Sequence, residues 1–216
     1  MPPPPPNSWR QPLLGYAANG LTSPDPAAVK IVVAGGFGAG KTTFVGALSE
    51  IPPLATEEYL SDASTASDPL HGVEAKLTTT VSMDYGRVTL TGPQPLILYL
   101  FGTPGQERFL YLWDDLTYGA AGAVVLADTR RLTDCFASLD FFEERGIPVT
   151  VAVNVFDGAH RYTADEVRSA LELHSTTPVV LCDARSTPAA ALVVITLVRH
   201  ALALSPSTTP TPVGTR

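Results

Sequence analysis

The chain has 216 residues, of which 45% are hydrophobic, 14 are Lys or Arg and 21 are Asp or Glu, giving a net charge of −7. This length favours one domain with terminal tails, and the hydrophobic content excludes a wholly disordered chain. The acidic balance, without a dense run of Lys and Arg, argues against broad electrostatic binding to nucleic acid or anionic lipid.

The two ends of the chain lack the periodic apolar face that a packed element needs. Residues 1–28 begin with a proline run, Pro2–Pro6, and residues 205–216 are mostly Ser, Thr and Pro. We predict a disordered tail at each end and a globular domain over residues 29–204. Neither a signal peptide nor a prenylation box is recognisable, so we expect a cytoplasmic protein without a direct membrane anchor, with recruitment to the membrane by partners left open.

Between the tails, short apolar runs alternate with helical patterns. Buried strands are predicted over Val29–Ala34, Leu96–Phe101, Ala121–Ala127, Val149–Val155 and Val179–Cys182. The segment Thr80–Leu90 alternates weakly and is predicted as two edge strand pieces or a bent hairpin. Helices are predicted over Lys41–Glu50, Glu107–Tyr118, Thr133–Arg145, a segment opened by the capping box Thr163–Glu166, and Thr187–Leu204. This alternation indicates a single α/β domain, with a doubly wound, mostly parallel sheet and helices on both faces.

Gly35 to Thr42 read Gly-Gly-Phe-Gly-Ala-Gly-Lys-Thr and fit the pattern G-x-x-x-x-G-K-[ST] between a predicted strand and a predicted helix. Glycines let backbone N–H groups approach phosphate oxygens, and a helix N-terminus favours negative charge. The Lys41 side chain is expected to reach the β- and γ-phosphates, and the Thr42 hydroxyl to bind Mg²⁺. We therefore predict a P-loop NTPase with Lys41 also acting in catalysis. Its predicted phosphate contacts are Gly35, Gly38, Ala39, Gly40, Lys41, Thr42 and Thr43.

A P-loop is shared by kinases, ATPases and GTPases, and the segment Gly102–Phe109 distinguishes among them. Its sequence, Gly-Thr-Pro-Gly-Gln-Glu-Arg-Phe, follows a predicted strand and resembles the second switch of Ras-superfamily GTPases, D-x-x-G-Q-E-R-F. The resemblance implies that the Gly105 N–H donates to the γ-phosphate and that Gln106 orients the attacking water as a catalytic residue. An ordinary strand-to-helix turn is the alternative.

Two further segments resemble elements that recognise guanine. Asn154-Val155-Phe156-Asp157 follows the next-to-last predicted strand and resembles N-K-x-D, with valine in place of lysine. The resemblance implies that Asp157 accepts hydrogen bonds from the guanine N1–H and 2-amino group, which adenine does not offer, and that Asn154 braces the loop. Asp183-Ala184-Arg185 resembles S-A-K, in which the alanine N–H, here that of Ala184, contacts the guanine oxygen.

The first switch of such proteins supplies a threonine to Mg²⁺ and the γ-phosphate. Thr78–Tyr85 resembles the corresponding pattern, T-I-G-V-D-F, with Thr80 in register as a second metal ligand beside Thr42. Thr79 is the alternative, and a plain strand surface is a further alternative because threonine is common in strands.

Over residues 29–204 the chain resembles bacterial Ras-like small GTPases. The form L-F-G-T-P-G-Q-x-R-F, here Leu100–Phe109, is shared with GTPases encoded in actinobacterial conservon operons and with relatives of the gliding-motility polarity GTPases. The resemblance implies a switch that binds GTP and GDP with Mg²⁺ and hydrolyses GTP slowly. It also implies a roadblock-type regulator protein and a sensor-kinase-like protein as partners.

Three positions depart from the Ras pattern. Gly102 stands where an aspartate usually holds Mg²⁺ through water, Phe37 fills a P-loop position that is usually glycine, and Val155 replaces the guanine-motif lysine. Asp128 is one candidate substitute for the missing carboxylate, with a helix cap as its alternative role. These departures leave open a nucleotide-binding scaffold that does not hydrolyse. An ATP-using P-loop protein is the second alternative, and Asp157 disfavours it.

Overall fold

The computed structural model describes residues 26–52, 54–58, 81–92, 95–105 and 107–205. The predictions for Thr80 and Gln106, and those for most of the two tails, lie outside this range. The predicted start of the globular part at residue 29 is two residues late, because the first strand begins at Ala27.

Seven strands form one sheet in the order β2-β3-β4-β1-β5-β6-β7. They are β1 (Ala27–Gly35), β2 (Leu54–Glu58), β3 (Val81–Leu90), β4 (Leu96–Gly102), β5 (Ala120–Ala127), β6 (Val149–Asn154) and β7 (Val179–Cys182). The pairs from β4 through β1 to β7 are parallel, and β2 and β3 add an antiparallel edge. The doubly wound α/β prediction is confirmed. The prediction of two strand pieces or a bent hairpin over Thr80–Leu90 is wrong, because β3 is a single strand that runs unbroken through Gly86.

The helices are α1 (Lys41–Leu48), α2 (Trp113–Thr117), α3 (Phe136–Glu144), α4 (Ala164–Ala170) and α5 (Thr187–Leu204). The prediction of one helix over Glu107–Tyr118 is corrected, because a 3₁₀ helix over Glu107–Leu112 precedes the short α2. Tight 3₁₀ turns of this kind are common at helix ends. The capping box before α4 is confirmed: the Thr163 hydroxyl accepts from the Glu166 N–H, and the Glu166 carboxylate accepts from the Thr163 N–H.

The central strands are buried on both faces, as their unbroken apolar runs predict. On β1, Ile31 and Val33 pack into the core under α1 and α5, whereas Val32 and Ala34 pack into the core under α2 and α3. Since successive side chains of a strand point to opposite faces of the sheet, β1 contributes side chains to the hydrophobic cores on both faces. The sheet therefore holds the ends of its parallel strands in fixed positions.

The last helix, α5, has one face in the core, formed by Ala190, Val193, Val194 and Leu197. Among the described residues it is the one helix whose length and apolar composition would allow it to cross a membrane. Leu192, Ile195, Leu202 and Leu204 are exposed on it.

Candidate nucleotide-binding site

The candidate site lies at the carboxyl ends of the parallel strands, where ligands of open α/β sheets bind. The loops after β1, β4, β6 and β7 meet there. A cavity of about 370 Å³ lies between the P-loop, β3 and the loop after β4. Its lining includes Gly38, Gly40, Lys41, Thr42, Thr43, Asp84, Thr103 and Gly105.

The P-loop runs from the end of β1 at Gly35 to the start of α1 at Lys41, which confirms the predicted strand–loop–helix context. Gly40 precedes the helix with φ at +103°, a conformation that other residues adopt at a cost. A Cβ at this position would also lie 2.6 Å from Nδ2 of Asn154. Glycine is therefore required here by backbone conformation and by a close neighbour.

Lys41 is buried at the start of α1, with 8% of its surface exposed. Its Nζ donates to the carbonyl oxygens of Gly35 and Gly36, each at 2.8 Å. Burial lowers the pKa of Lys41 to about 8, and the negative charge of Asp84 partly opposes that shift. A cation placed in a poorly solvated cavity interacts strongly with an anionic phosphate.

Asp84 on β3 is a buried carboxylate that the site prediction did not include. It is 5% exposed, and its Oδ2 accepts a hydrogen bond of 2.8 Å from the Thr42 hydroxyl. The β3–β4 register places Asp84 directly opposite Gly102. Sequence alone hides this relation, because the two residues are separated by a strand connection whose register is set only in the folded sheet.

The loop after β4 folds over the P-loop. A Cβ on Gly105 would lie 2.6 Å from Lys41 Nζ and 3.0 Å from the Phe37 backbone, so glycine permits this approach. The predicted second-switch glycine is thus adjacent to the predicted phosphate-binding lysine. Thr103 in the same loop is 1% exposed, and its hydroxyl has no hydrogen-bond partner among the described residues.

Asn154 connects the P-loop to the loop after β7. Its Nδ2 donates to the Ala39 carbonyl at 3.0 Å, and its Oδ1 accepts from the Ala184 N–H at 3.1 Å. Asn154 therefore braces the site in the way that the resemblance implies. The Ala184 N–H, which the resemblance assigns to the guanine oxygen, is used by Asn154 in this geometry, and its guanine contact stays a prediction.

Asp157 lies beyond Asn154 at the exposed mouth of the site. Arg185 donates to both of its oxygens, from Nη1 at 2.9 Å and from Nη2 at 3.3 Å, and also binds Asp183. The hydrogen bonds from Arg185 hold the pKa of Asp157 below its usual range, so Asp157 is an ionised acceptor. The pKa of Asp183 is lowered for the same reason.

Comparison with known families identifies the fold that carries this site. A family model described as a conserved hypothetical ATP binding protein matches residues 33–204. The chain belongs to this family. No curated protein sequence matches it.

Solved structures that resemble this protein support the same fold assignment. The G domain of the T. maritima FeoB iron transporter is 21% identical with a TM-score of 0.56, and the match covers 81% of this chain and 99% of that one. The cytosolic domain of the same transporter in a GDP form is 20% identical with a TM-score of 0.57, covering 82% of this chain and 64% of that one. This protein therefore has a P-loop GTPase-like fold.

Asp128, the candidate substitute for the carboxylate missing at Gly102, has another role in this family member. It follows β5, and its oxygens accept from the backbone N–H and the guanidinium of Arg130. These hydrogen bonds lower its pKa. The Arg130 guanidinium also lies over the Phe156 ring, 3.8 Å from its centroid. The helix-cap interpretation of Asp128 is therefore wrong: Arg131, not Asp128, is the N-cap of the 3₁₀ helix over Leu132–Cys135, and the Asp128 carboxylate instead orders the turn that precedes this helix.

Arg131 brings a second cation to the P-loop, and sequence analysis did not single it out. Its Nη2 donates to the Phe37 carbonyl, and the same nitrogen is 3.3 Å from where a Cβ on Gly38 would lie. The Phe37 ring itself is exposed. Among the residues that the structure describes, Lys41 lines the cavity and Arg131 places a second positive charge beside the P-loop.

Proposed function

We propose that this protein is a guanine-nucleotide switch that binds GTP and GDP with Mg²⁺ and hydrolyses GTP slowly. The observation that carries the proposal is the Asn154 bridge. It ties the P-loop, which holds Lys41 for the phosphates, to the loops that carry Asp157 and Ala184. On this proposal, Asn154 links the segment that binds the phosphates to the segments that recognise the base.

Asp157 favours guanine over adenine. Its ionised carboxylate is an acceptor-only group, which matches the adjacent N1–H and 2-amino donors of guanine. Adenine presents no such pair of donors. The family description mentions ATP, and ATP binding is therefore the alternative that the first experiment tests.

Hydrolysis requires charge neutralisation and an oriented water. Lys41, which lines the cavity, supplies one charge, and Gln106 is proposed to orient the water. Thr42 and Thr80 are proposed to hold Mg²⁺, which would supply positive charge to the β- and γ-phosphate oxygens. Without an arginine from a partner, such an enzyme turns over at roughly 10⁻⁴ to 10⁻³ s⁻¹.

The cellular part of the proposal rests on resemblance alone. We propose that a roadblock-type regulator and a sensor-kinase-like protein act on the switch in the cytoplasm, with recruitment to the membrane through these partners. The net charge of −7 argues against broad electrostatic binding to nucleic acid.

The base assignment is tested by competition against a fluorescent GDP analogue. We expect GDP and GTP to compete far better than ATP, and Asp157→Ala to remove the difference, because a site built for two donors loses heavily when they are absent. Asp165→Ala, which removes a similarly exposed, ion-paired aspartate on α4, should keep the preference. Equal competition by ATP and GTP in the unmodified protein would refute the guanine assignment, and stronger competition by ATP would support the ATP alternative.

The enzymatic assignment is tested by single-turnover phosphate release at saturating Mg²⁺. We expect slow release from the unmodified protein and slower release from Gln106→Leu, since leucine cannot orient water. If both proteins bind GTP yet release phosphate only at the rate of buffer, the protein is a non-hydrolysing nucleotide-binding scaffold.

A further inference from the structure

We propose that Arg131 is a positioning residue of the phosphate site. Its guanidinium holds the Phe37 carbonyl oxygen and thereby turns the Gly38 N–H to the opposite side of the P-loop, toward the nucleotide phosphates. The inference rests on the proposed function, because the phosphates are those of the bound guanine nucleotide. It gives a role in phosphate binding to a residue of the loop after β5, outside the sequence motifs that predict the site.

The first argument is the geometry of the peptide that joins Phe37 to Gly38. In a trans peptide the carbonyl group and the following N–H lie in one rigid plane and point in opposite directions. None of the described residues has a cis peptide bond, and Arg131 Nη2 donates to the Phe37 carbonyl. The Gly38 N–H therefore points away from Arg131. Phe37 and Gly38 line the cavity of the P-loop and Arg131 lies outside its lining, so this N–H faces the cavity.

The second argument is that the Gly38 N–H is available to a ligand. The neighbouring Ala39 N–H donates to the Gly36 carbonyl at 3.2 Å, whereas the Gly38 N–H donates to no group among the described residues. Gly38 also has φ at +75°. Successive N–H groups in turns of this kind form concave sites for anions, and P-loops bind phosphate oxygens through them.

The third argument is that the loop after β5 is packed against the P-loop. Arg131 Nη2 lies 3.8 Å from Asp128 Oδ2, and Arg131 Nε lies 3.9 Å from Asp134 Oδ2, so two carboxylates orient the guanidinium. A Cβ on Gly36 would lie 2.7 Å from Asp134 Oδ2, and a Cβ on Gly38 would lie 3.3 Å from Arg131 Nη2. The loop therefore contacts three consecutive residues of the P-loop.

A purely structural role is the competing explanation, since the ion pairs of Arg131 also fix the loop after β5. These pairs are exposed, with 48% of the Arg131 side chain and 39% of the Asp134 side chain accessible, and exposed pairs contribute little to stability. The two explanations differ at the Gly38 amide. Only a positioning role makes the contact between this N–H and the phosphates depend on Arg131.

The experiment observes the Gly38 amide by NMR. Labelling with ¹³C-carbonyl phenylalanine and ¹⁵N-glycine selects glycines that follow phenylalanine, and the sequence contains two, Gly38 and Gly102. Phe37→Leu removes the Gly38 signal and so assigns it. An amide proton shifts downfield when its N–H donates to a phosphate oxygen. We expect saturating GDP with Mg²⁺ to shift the Gly38 signal downfield in the parent, and Arg131→Ala to lose most of this shift.

The same variants are titrated with GDP. We expect Arg131→Ala to weaken GDP binding about tenfold, as for loss of a hydrogen bond that involves a charged group. Arg131→Lys keeps a charged donor and should restore most of the affinity and of the Gly38 shift. Arg87→Ala is the matched control, because Arg87 pairs with Glu50 and its side chain is 44% exposed. It should change neither quantity.

Arg131→Met covers the case in which Arg131→Ala does not fold. Methionine keeps the apolar part of the side chain and removes every donor, so it should lose the GDP-induced Gly38 shift as alanine does. A Gly38 shift of parental size in Arg131→Met overturns the proposal.

The failures are distinguishable. If the unmodified protein binds no guanine nucleotide, the proposed function is wrong. If it binds GDP and the Gly38 signal shifts equally in the parent and in Arg131→Ala, the role of Arg131 is wrong while nucleotide binding stands, whether or not the variant binds more weakly. A parental Gly38 signal that stays in place when GDP binds also overturns the role of Arg131.

Discussion

The phosphate end and the base end of the site share one edge of the sheet but hold their charges in different surroundings. At the phosphate end Lys41 and Asp84 are buried, at 8% and 5% exposure. At the base end the side chains of Asp157 and Arg185 are 85% and 58% exposed. The first pair of charges lies among backbone and side-chain dipoles, and the second lies largely in water.

This difference sets the size of the effects that substitutions should have. Interactions of buried charges are screened little, whereas exposed ion pairs are weakened by solvent and salt and contribute little to stability. Substitutions at the phosphate end should therefore change binding strongly. At the base end, breaking an ion pair should change nucleotide affinity less than removing the Asp157 carboxylate, which is proposed to accept hydrogen bonds from the base.

The largest effect is expected for Lys41→Met. Methionine keeps the apolar part of the buried side chain and removes the positive charge proposed to bind the phosphates. GTP affinity should therefore fall about 100-fold, which corresponds to the loss of a strong charge-assisted hydrogen bond. The surroundings already disfavour the charged amine, as its lowered pKa of about 8 indicates. The unfolding temperature should therefore remain at or above that of the parent. Titration with a fluorescent GTP analogue and a thermal melt measure the two quantities.

Lys30→Met is the matched control. Lys30 is a partly buried lysine on β1 whose Nζ donates to the Tyr118 carbonyl, away from the P-loop. Its replacement should leave GTP affinity unchanged. A Lys41→Met protein that binds GTP as tightly as the parent would show that the phosphates are held elsewhere.

A smaller effect is expected at the link between the two ends. Asn154→Ala removes the donor to the Ala39 carbonyl and leaves the Ala184 N–H without its acceptor. An unsatisfied buried polar group costs about 1–3 kcal/mol, so the free energy of unfolding in urea should fall by about that amount. GDP affinity should fall as well, because the base loops are no longer tied to the P-loop.

Thr150→Val provides the comparison on the same strand. The Thr150 hydroxyl is buried and has no partner among the described residues. Replacing it with an apolar group of similar shape should leave the free energy of unfolding unchanged or raise it. Equal losses for Asn154→Ala and Thr150→Val would indicate general sensitivity of β6 rather than a specific bridge.

The sequence predicts the phosphate end well wherever the chemistry is local. Gly35 to Thr42 form one uninterrupted segment, and its strand–loop–helix context is visible in the apolar run before it and the helical pattern after it. Asp84 was missed as a site residue because its role depends on which residue of β4 it faces. That pairing is set by strand register, for which no local pattern exists.

At the base end the motif residues were predictable and their neighbours were not. Asn154 occupies the bracing position that the N-x-x-D segment suggests. The bidentate contact between Arg185 and Asp157 joins residues 28 positions apart on two different loops. Only the packed arrangement of the loops after β6 and β7 brings those charges together.

The smallest effect is expected for Arg185→Ala. Arg185 occupies both oxygens of Asp157, the atoms that guanine is proposed to use, so its removal releases the carboxylate for the base. The pair is exposed, and such pairs contribute little, so GDP affinity should rise by less than about fivefold. The change should shrink further at high salt, and the preference for guanine over adenine should persist. Arg168→Ala on α4, which breaks an ion pair with Asp165, should change nothing in the same titration. Weaker GDP binding with loss of the guanine preference would place Arg185 in base recognition itself, and the base end would then depend on the ion pair as well as on Asp157.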